Sequence, residues 1–384
     1  MVHSGVPWRL GRRPSLDGLR GLAVLLVVLC HLSLTRTLLF AASGPVGVTV
    51  FFTLSGFLIT TLLLEERARD GGISLRGFYA RRIRRLLPAL VVFVAGAAAV
   101  ATTAGPSIAT RRDVVASLLY VGNWLPARSD YMGALNHTWS LAIEEQFYLV
   151  WPVLVIVVLR RSSERALAVV ALVGAGTSLI ARFALWDSGH GADRIYYGSD
   201  TRADALLLGC ALAVWMRGRG AGASNPRVAH LMVAGVGILA LVSHPLPRYL
   251  ILPTVVALAT MVAIATLTRG RYSGWLEARP LVWLGRRSYG LYLWHLLVLM
   301  TVEAWDVPWP VTMVTVVALS LMLTELSWRY VEQPLLHPRA EAITVGRPSE
   351  EGAFPAFPAP REEDGLGDVA VGEPRRGGDH AGRS

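Results

Sequence analysis

Arg20 and His31 stand eleven residues apart in one apolar run, LDGLRGLAVLLVVLCH at 16–31. Eleven residues make close to three helical turns, so both side chains leave one helix face, roughly 16 Å apart along its axis. Ionisable groups inside a bilayer span are costly and tend to sit where they perform a function. A guanidinium can hold an anionic substrate group, and an imidazole can take a proton or briefly carry a transferred group. The pair points to a catalyst working at membrane depth rather than to an anchor.

Other segments carry polar chemistry into apolar surroundings. HTWSLAIEEQFYLVWP at 137–152 holds His137, Glu144, Glu145 and Tyr148. On a helix Tyr148 shares a face with Glu144 and Glu145, and His137 falls further along the same side. Two adjacent carboxylates at that depth must be protonated, paired with arginine or open to water. They are read as working groups, with neutralisation of a buried arginine such as Arg182 or Arg202 as the other reading. RRIRR at 81–85 sets Arg81, Arg82, Arg84 and Arg85 beside an apolar run, an anion site or a lipid-headgroup anchor. SYGLYLWH at 288–295 places Ser288, Tyr292 and His295 at helical spacing, either a polar stripe or packing hydrogen bonds. DTRADALLLG at 200–209 reads as a self-neutralising cluster of Asp200, Arg202 and Asp204, with acceptor binding as its less expected use. In FFTLSGFLI at 51–59, Ser55-Gly56 is expected to mark close helix packing rather than a nucleophile.

These residues need helices in a bilayer to position them. The chain has 384 residues, 53% of them hydrophobic, and a mean hydropathy of +0.46, too apolar for an ordinary soluble protein. Ten apolar blocks stand out, at roughly 19–38, 46–64, 86–104, 139–159, 166–186, 203–216, 229–243, 250–268, 289–305 and 310–330. A shorter apolar stretch at 114–124 is expected to lie in the interface or re-enter. All 37 basic residues are arginines, and they crowd alternate joints, with Arg67, Arg160, Arg217 and Arg286 among them. Under the positive-inside rule this bias predicts an all-α polytopic protein of about ten spans with both termini cytoplasmic. The net charge of +10 then reports topology and anionic lipid rather than nucleic acid. The apolar run after Arg12-Arg13 is too long for a cleaved signal and is expected to be retained. Residues 1–340 form the expected membrane domain, and the Pro- and Gly-rich 341–384 a disordered cytoplasmic tail. Two cysteines, Cys30 and Cys210, offer neither a disulfide framework nor a metal site.

Taken in order, LDGLRGLAVLLVVLCH, VFFTLSGFLIT, FYARRIRRLLPAL, HTWSLAIEEQFYLVWP, RADALLLG, SYGLYLWH and RYVEQP resemble the acyltransferase-3 family of integral membrane O-acyltransferases. The similarity runs over about 16–340. It implies a ten-helix plasma-membrane enzyme that takes an acyl group, commonly acetyl, from acyl-CoA and has no bound cofactor. The group would end on a hydroxyl of a glycan, a glycolipid or a glycosylated small molecule. The family's arginine–histidine motif falls on Arg20 and His31, its arginine cluster on Arg81, Arg82, Arg84 and Arg85, and its acidic motif on Glu144 and Glu145. Many relatives carry a further extracytoplasmic esterase-like domain. No such segment is expected here, so the chain would acylate its acceptor directly or pass the group to a separate protein.

The expected mechanism has Arg20 and the 81–85 cluster holding the donor phosphates. His31 acts as base or acyl carrier, Glu144 orients the imidazole, and Tyr148 donates to the developing oxyanion. His137, Glu145, Arg202, Asp204, Tyr292 and His295 form a possible second set. A cell-surface carbohydrate is the first acceptor expected and a macrolide-type metabolite the second. A proton-coupled transporter is the reading from another class, and it would need repeated halves that are not found here.

Overall fold

The computed structural model describes residues 10–34, 43–217, 225–242, 249–269 and 274–336. The expected tail at 341–384 lies outside the described residues. Among the described residues every regular element is helical. A chain this apolar has that solution open to it because lipid cannot satisfy backbone polar groups, and a helix satisfies them internally.

The helices are α1 (Pro14–Leu34), α2 (Ser43–Asp70), α3 (Leu75–Ala104) and the short α4 (Arg111–Leu118). They continue with α5 (Trp139–Arg161), α6 (Glu164–Asp187), α7 (Ala192–Tyr197), α8 (Ser199–Arg217) and α9 (Pro226–Val242). The last are α10 (Leu252–Arg269), α11 (Arg279–Arg286), α12 (Ser288–Glu303) and α13 (Trp309–Ser327), which runs on through a π turn at Trp328–Glu332. Each of the ten expected blocks falls on a helix over its described residues, while 35–38 of the first and 243 of the seventh lie outside them.

Seven helices are long and apolar enough to cross a bilayer by length and composition: α1, α2, α3, α5, α6, α10 and α13. The other three expected spans fall short for visible reasons. α9 has 17 residues and α12 has 16, while α8 carries Asp200, Arg202, Asp204 and Arg217. α8 is nevertheless central, packed between α2 and α6. The stretch at 114–124 does not span: α4 is eight residues long, capped by a reciprocal Thr110–Asp113 box, and then breaks into tight turns.

Two close approaches set the frame around the site. A Cβ on Gly56 of α2 would collide with the Leu206 carbonyl of α8, and one on Gly209 with the Thr53 carbonyl. Only glycine lets these backbones touch, the small-residue packing that membrane helices favour. Gly18 of α1 meets the Leu276 carbonyl in the same way, and Gly285 of α11 meets that of Asp17. That second approach holds α1 beside the start of α12. Two contacts of rising residue number then join α1 to α12, Arg20 to Ser288 and His31 to His295.

Candidate active site

A cavity of about 250 Å³ lies within the bundle. On α2 it is lined from Leu62 to Val48, with Ser55 midway, a length of roughly 21 Å at helical rise. α1 contributes Arg20 and α3 contributes Arg82, Arg85 and Leu86. α5 contributes Ser140, Leu141, Glu144, Glu145 and Tyr148, and α12 contributes Ser288, Tyr289 and Tyr292. Arg82 and Arg85 also line a second cavity of about 500 Å³, together with Arg81, Arg84, Arg69, Glu65 and Glu66. Arg82, Arg85 and Leu62 are therefore shared walls of the two spaces.

The arginines are not equally occupied. Arg81 is held by Glu66 at 2.8 Å, and the same carboxylate accepts from the Ser74 backbone N–H. Arg82 lies over the Tyr148 ring at 4.2 Å and faces Phe78 at 5.9 Å, a cation–π arrangement that keeps its hydrogen-bond donors available. Arg20 donates to the Ser288 hydroxyl at 3.3 Å. Among the described residues, none of Arg20, Arg82, Arg84 and Arg85 has a carboxylate within ion-pair distance. Guanidiniums gathered on a shared cavity without carboxylate partners are suited to an anionic ligand, above all a phosphate.

Glu144 and Tyr148 do share one face, as their spacing requires, but neither reaches His31. Glu144 accepts a 2.7 Å hydrogen bond from Ser55 and interacts electrostatically with Arg20, Arg82 and Arg85. Tyr148 is buried beneath Arg82. Both belong to the arginine end of the cavity, where Glu144 bonds to Ser55 instead of the imidazole and Tyr148 lies under a guanidinium. Glu145 lines the same cavity.

Three histidines from three chain segments meet instead. His295 Nε2 is 3.2 Å from His31 Nδ1, and their rings are 5.0 Å apart. The His137 ring lies 5.2 Å from that of His295 and 5.2 Å from that of Tyr292. His137 and His295 are buried, while His31 is half-buried. His137 occupies the 3-10 turn Gly133–Thr138 before α5 rather than the helix itself.

Backbone carbonyls assign the tautomers. His31 Nδ1 is 2.9 Å from the Val27 carbonyl and His295 Nδ1 is 3.1 Å from that of Leu291. With each Nδ1 carrying the proton, His295 Nδ1–H donates to Leu291, the single His31 Nδ1–H is shared between the Val27 carbonyl and His295 Nε2, and the lone pair of His31 Nε2 is free. A histidine held in that way can act as base or nucleophile through Nε2.

The outlying candidates part company from this site. Asp200, Arg202 and Asp204 form no ion pair with one another, because Arg202 lies two positions from each carboxylate and leaves α8 on the opposite side. Asp204 pairs with Arg182 of α6 at 2.6 Å, both fully buried, and Asp200 pairs with Arg194 at 2.7 Å. Arg202 lies over the Tyr196 ring at 5.3 Å and the Phe52 ring at 5.8 Å and donates to Thr49 at 3.0 Å. Ser55 and Ser140 are the cavity residues that sequence reasoning undervalued. Their signal was position alone, one turn from Phe51 and Phe52 in one case and one turn from His137 in the other.

Fold and site thus define a multi-pass helical membrane protein with an arginine-lined internal cavity beside a histidine cluster. The acyltransferase domain of the acyltransferase-3 family matches residues 13–327, and the chain belongs to that family. It is 36% identical over 352 residues to the peptidoglycan O-acetyltransferase OatA of Listeria monocytogenes, covering 84% of this chain and 55% of that protein. It is 36% identical over 353 residues to the putative peptidoglycan O-acetyltransferase YrhL of Bacillus subtilis, covering 84% and 54%. It is 31% identical over 378 residues to the O-acetyltransferase OatA of Staphylococcus aureus strain NCTC 8325, covering 89% and 60%. The chain spans little more than half the length of these curated relatives. No solved structure matches it.

Proposed function

We propose that this chain is a plasma-membrane O-acyltransferase that moves an acetyl group from acetyl-CoA to a hydroxyl of a cell-wall glycan. The observation that carries the reading is a pair of cavities that share Arg82, Arg85 and Leu62 as walls, the inner one reaching Tyr292 beside the histidine cluster. Arg84, Arg85 and Arg82 hold the nucleotide phosphates in the outer cavity, and the arginine-rich joints put that end in the cytoplasm. The pantetheine arm runs along α2 past Arg20 and Ser55. Family membership favours acyl transfer, and the names of the relatives favour acetyl and a peptidoglycan-like acceptor.

His31 Nε2 takes the proton of the acceptor hydroxyl as its oxygen attacks the thioester carbonyl carbon. The new C–O bond forms, the C–S bond breaks, and the thiolate recovers that proton from the imidazolium and leaves as CoA. His295 Nε2 accepts from His31 Nδ1–H and so steadies the ring while it is charged.

The test uses the full chain in nanodiscs with radiolabelled acetyl-CoA and purified peptidoglycan glycan strands. Wild type is expected to label the strands. His31→Ala is expected to lose at least about 100-fold in transfer, the usual size of a lost general base, while still inserting. Labelling that persists in His31→Ala refutes the role of His31, and label on no strand in wild type refutes the acceptor.

A further inference from the structure

The cavity ends one helical turn short of His137 and of His295, and on α1 it stops at Arg20, about three turns before His31. Its last residue on α5 is Ser140, three positions after His137, and its last on α12 is Tyr292, three positions before His295. These two end residues are bonded to each other. The Tyr292 hydroxyl donates to the His137 carbonyl at 2.8 Å. Having spent its proton there, it accepts from the Ser140 hydroxyl at 2.7 Å. Both side chains are buried, and the Tyr292 ring stands 5.2 Å from His137 and 5.8 Å from His295.

Behind this pair lies a group with an unmet need. Neither ring nitrogen of His137 has a well-aligned hydrogen-bond partner among the described residues, although the backbone of Ala134, Tyr292 and Leu293 lies close by. Phe93 closes its far side at 5.6 Å. A buried imidazole without well-aligned partners is unfavourable, and it gains if a polar group arrives beside it. The carbonyl oxygen of a thioester is such a group, provided that Tyr292 moves aside.

We propose that Tyr292, latched through its hydroxyl to Ser140 and the His137 carbonyl, is a positioning residue. Closed, it walls the donor cavity off from the three histidines; open, it admits the acyl group to His31. The inference rests on the cavity being the donor site. Its chemical purpose is to keep a reactive thioester apart from the His31 imidazole until an acceptor is engaged. Two neutral hydrogen bonds suit that task, since they hold one rotamer without locking it.

The experiment measures free CoA released from acetyl-CoA by the full chain in nanodiscs, with and without peptidoglycan glycan strands. The variants are Tyr292→Phe, which keeps the ring and loses both bonds, and Ser140→Ala, which unlatches from the other helix. In both, release without strands is expected to rise about tenfold relative to transfer onto strands, the scale of one or two lost neutral hydrogen bonds. A merely structural defect lowers release and transfer together, and that result overturns the proposal. So does an unchanged ratio in both variants beside normal wild-type transfer, which leaves the donor reading intact. No release by any form, with or without strands, overturns the donor reading and the latch with it.

Discussion

Two arginine sites inside this bundle, one at Arg182 and one at Arg20, Arg82 and Arg85, are built in opposite ways. At Arg182 and Asp204 opposite charges are paired. The ion pair spans 2.6 Å with both side chains fully buried. Arg182 also donates to the carbonyls of Thr201 and Leu250, and Thr254 donates to Asp204. At Arg20, Arg82 and Arg85 the pairing is withheld. Glu144 is taken by Ser55, Arg82 rests on an aromatic ring, and a cavity occupies the space between. Paired charge with no room beside it is structural. Guanidinium charge left without a carboxylate, around room for a ligand, is the mark of a binding site.

The comparison breaks if the two arginine sets respond alike to substitution. Asp204→Ala leaves a buried guanidinium without its counter-charge and is expected to destabilise the protein by about 3–5 kcal/mol. Thermal unfolding in detergent would read this as a lower midpoint. Replacing Arg182 and Asp204 together by leucine should restore much of the loss, because no lone charge then remains. A midpoint unchanged in Asp204→Ala would remove the structural half of the contrast.

At the other set, Arg82→Ala and Arg85→Ala should scarcely move the unfolding midpoint. Each should raise the KM for acetyl-CoA by about 10- to 100-fold, the worth of a charge-assisted hydrogen bond to phosphate. Equal loss of midpoint in Arg85→Ala and Asp204→Ala would erase the distinction. The smallest effect is expected at Ser55→Ala, which frees Glu144 to turn towards the nearby arginines. Donor affinity should fall by about threefold to tenfold, the size of one neutral-to-charged hydrogen bond redistributed. Tighter donor binding in that variant would show that Ser55 competes with the ligand instead of keeping the arginines available.

How far the site could be read beforehand follows from which contacts lie within one helix. Arg20 and His31 on one face, Glu144 with Tyr148, and Ser288 with Tyr292 and His295 all follow from the 3.6-residue period. The motifs at 81–85 and 137–152 could likewise be placed on the wall of a working site by residue type. Contacts between helices could not be foreseen. Glu144 was matched with His31 because both are polar in apolar runs, yet it sits against Ser55 of α2. The Asp200–Arg202–Asp204 cluster looked self-neutralising by spacing, although its members pair with α6, with α7 and with aromatic rings.

Sequence by itself determined that this chain is a helical membrane protein, where its apolar segments run and which faces carry ionisable groups. Those are local quantities: hydropathy over a bilayer's thickness and the pitch of a helix. Family membership was legible too, because motif order survives without any knowledge of contacts. Tertiary structure alone decided that His137 and His295 join His31, that Tyr292 and Ser140 close the cavity between them, and which arginines go without carboxylates. Each of these depends on how closely two backbones approach, at Gly56 against α8 and Gly285 against α1. An ångström of interhelical distance changes every partner, while the periodicity that a sequence displays stays the same.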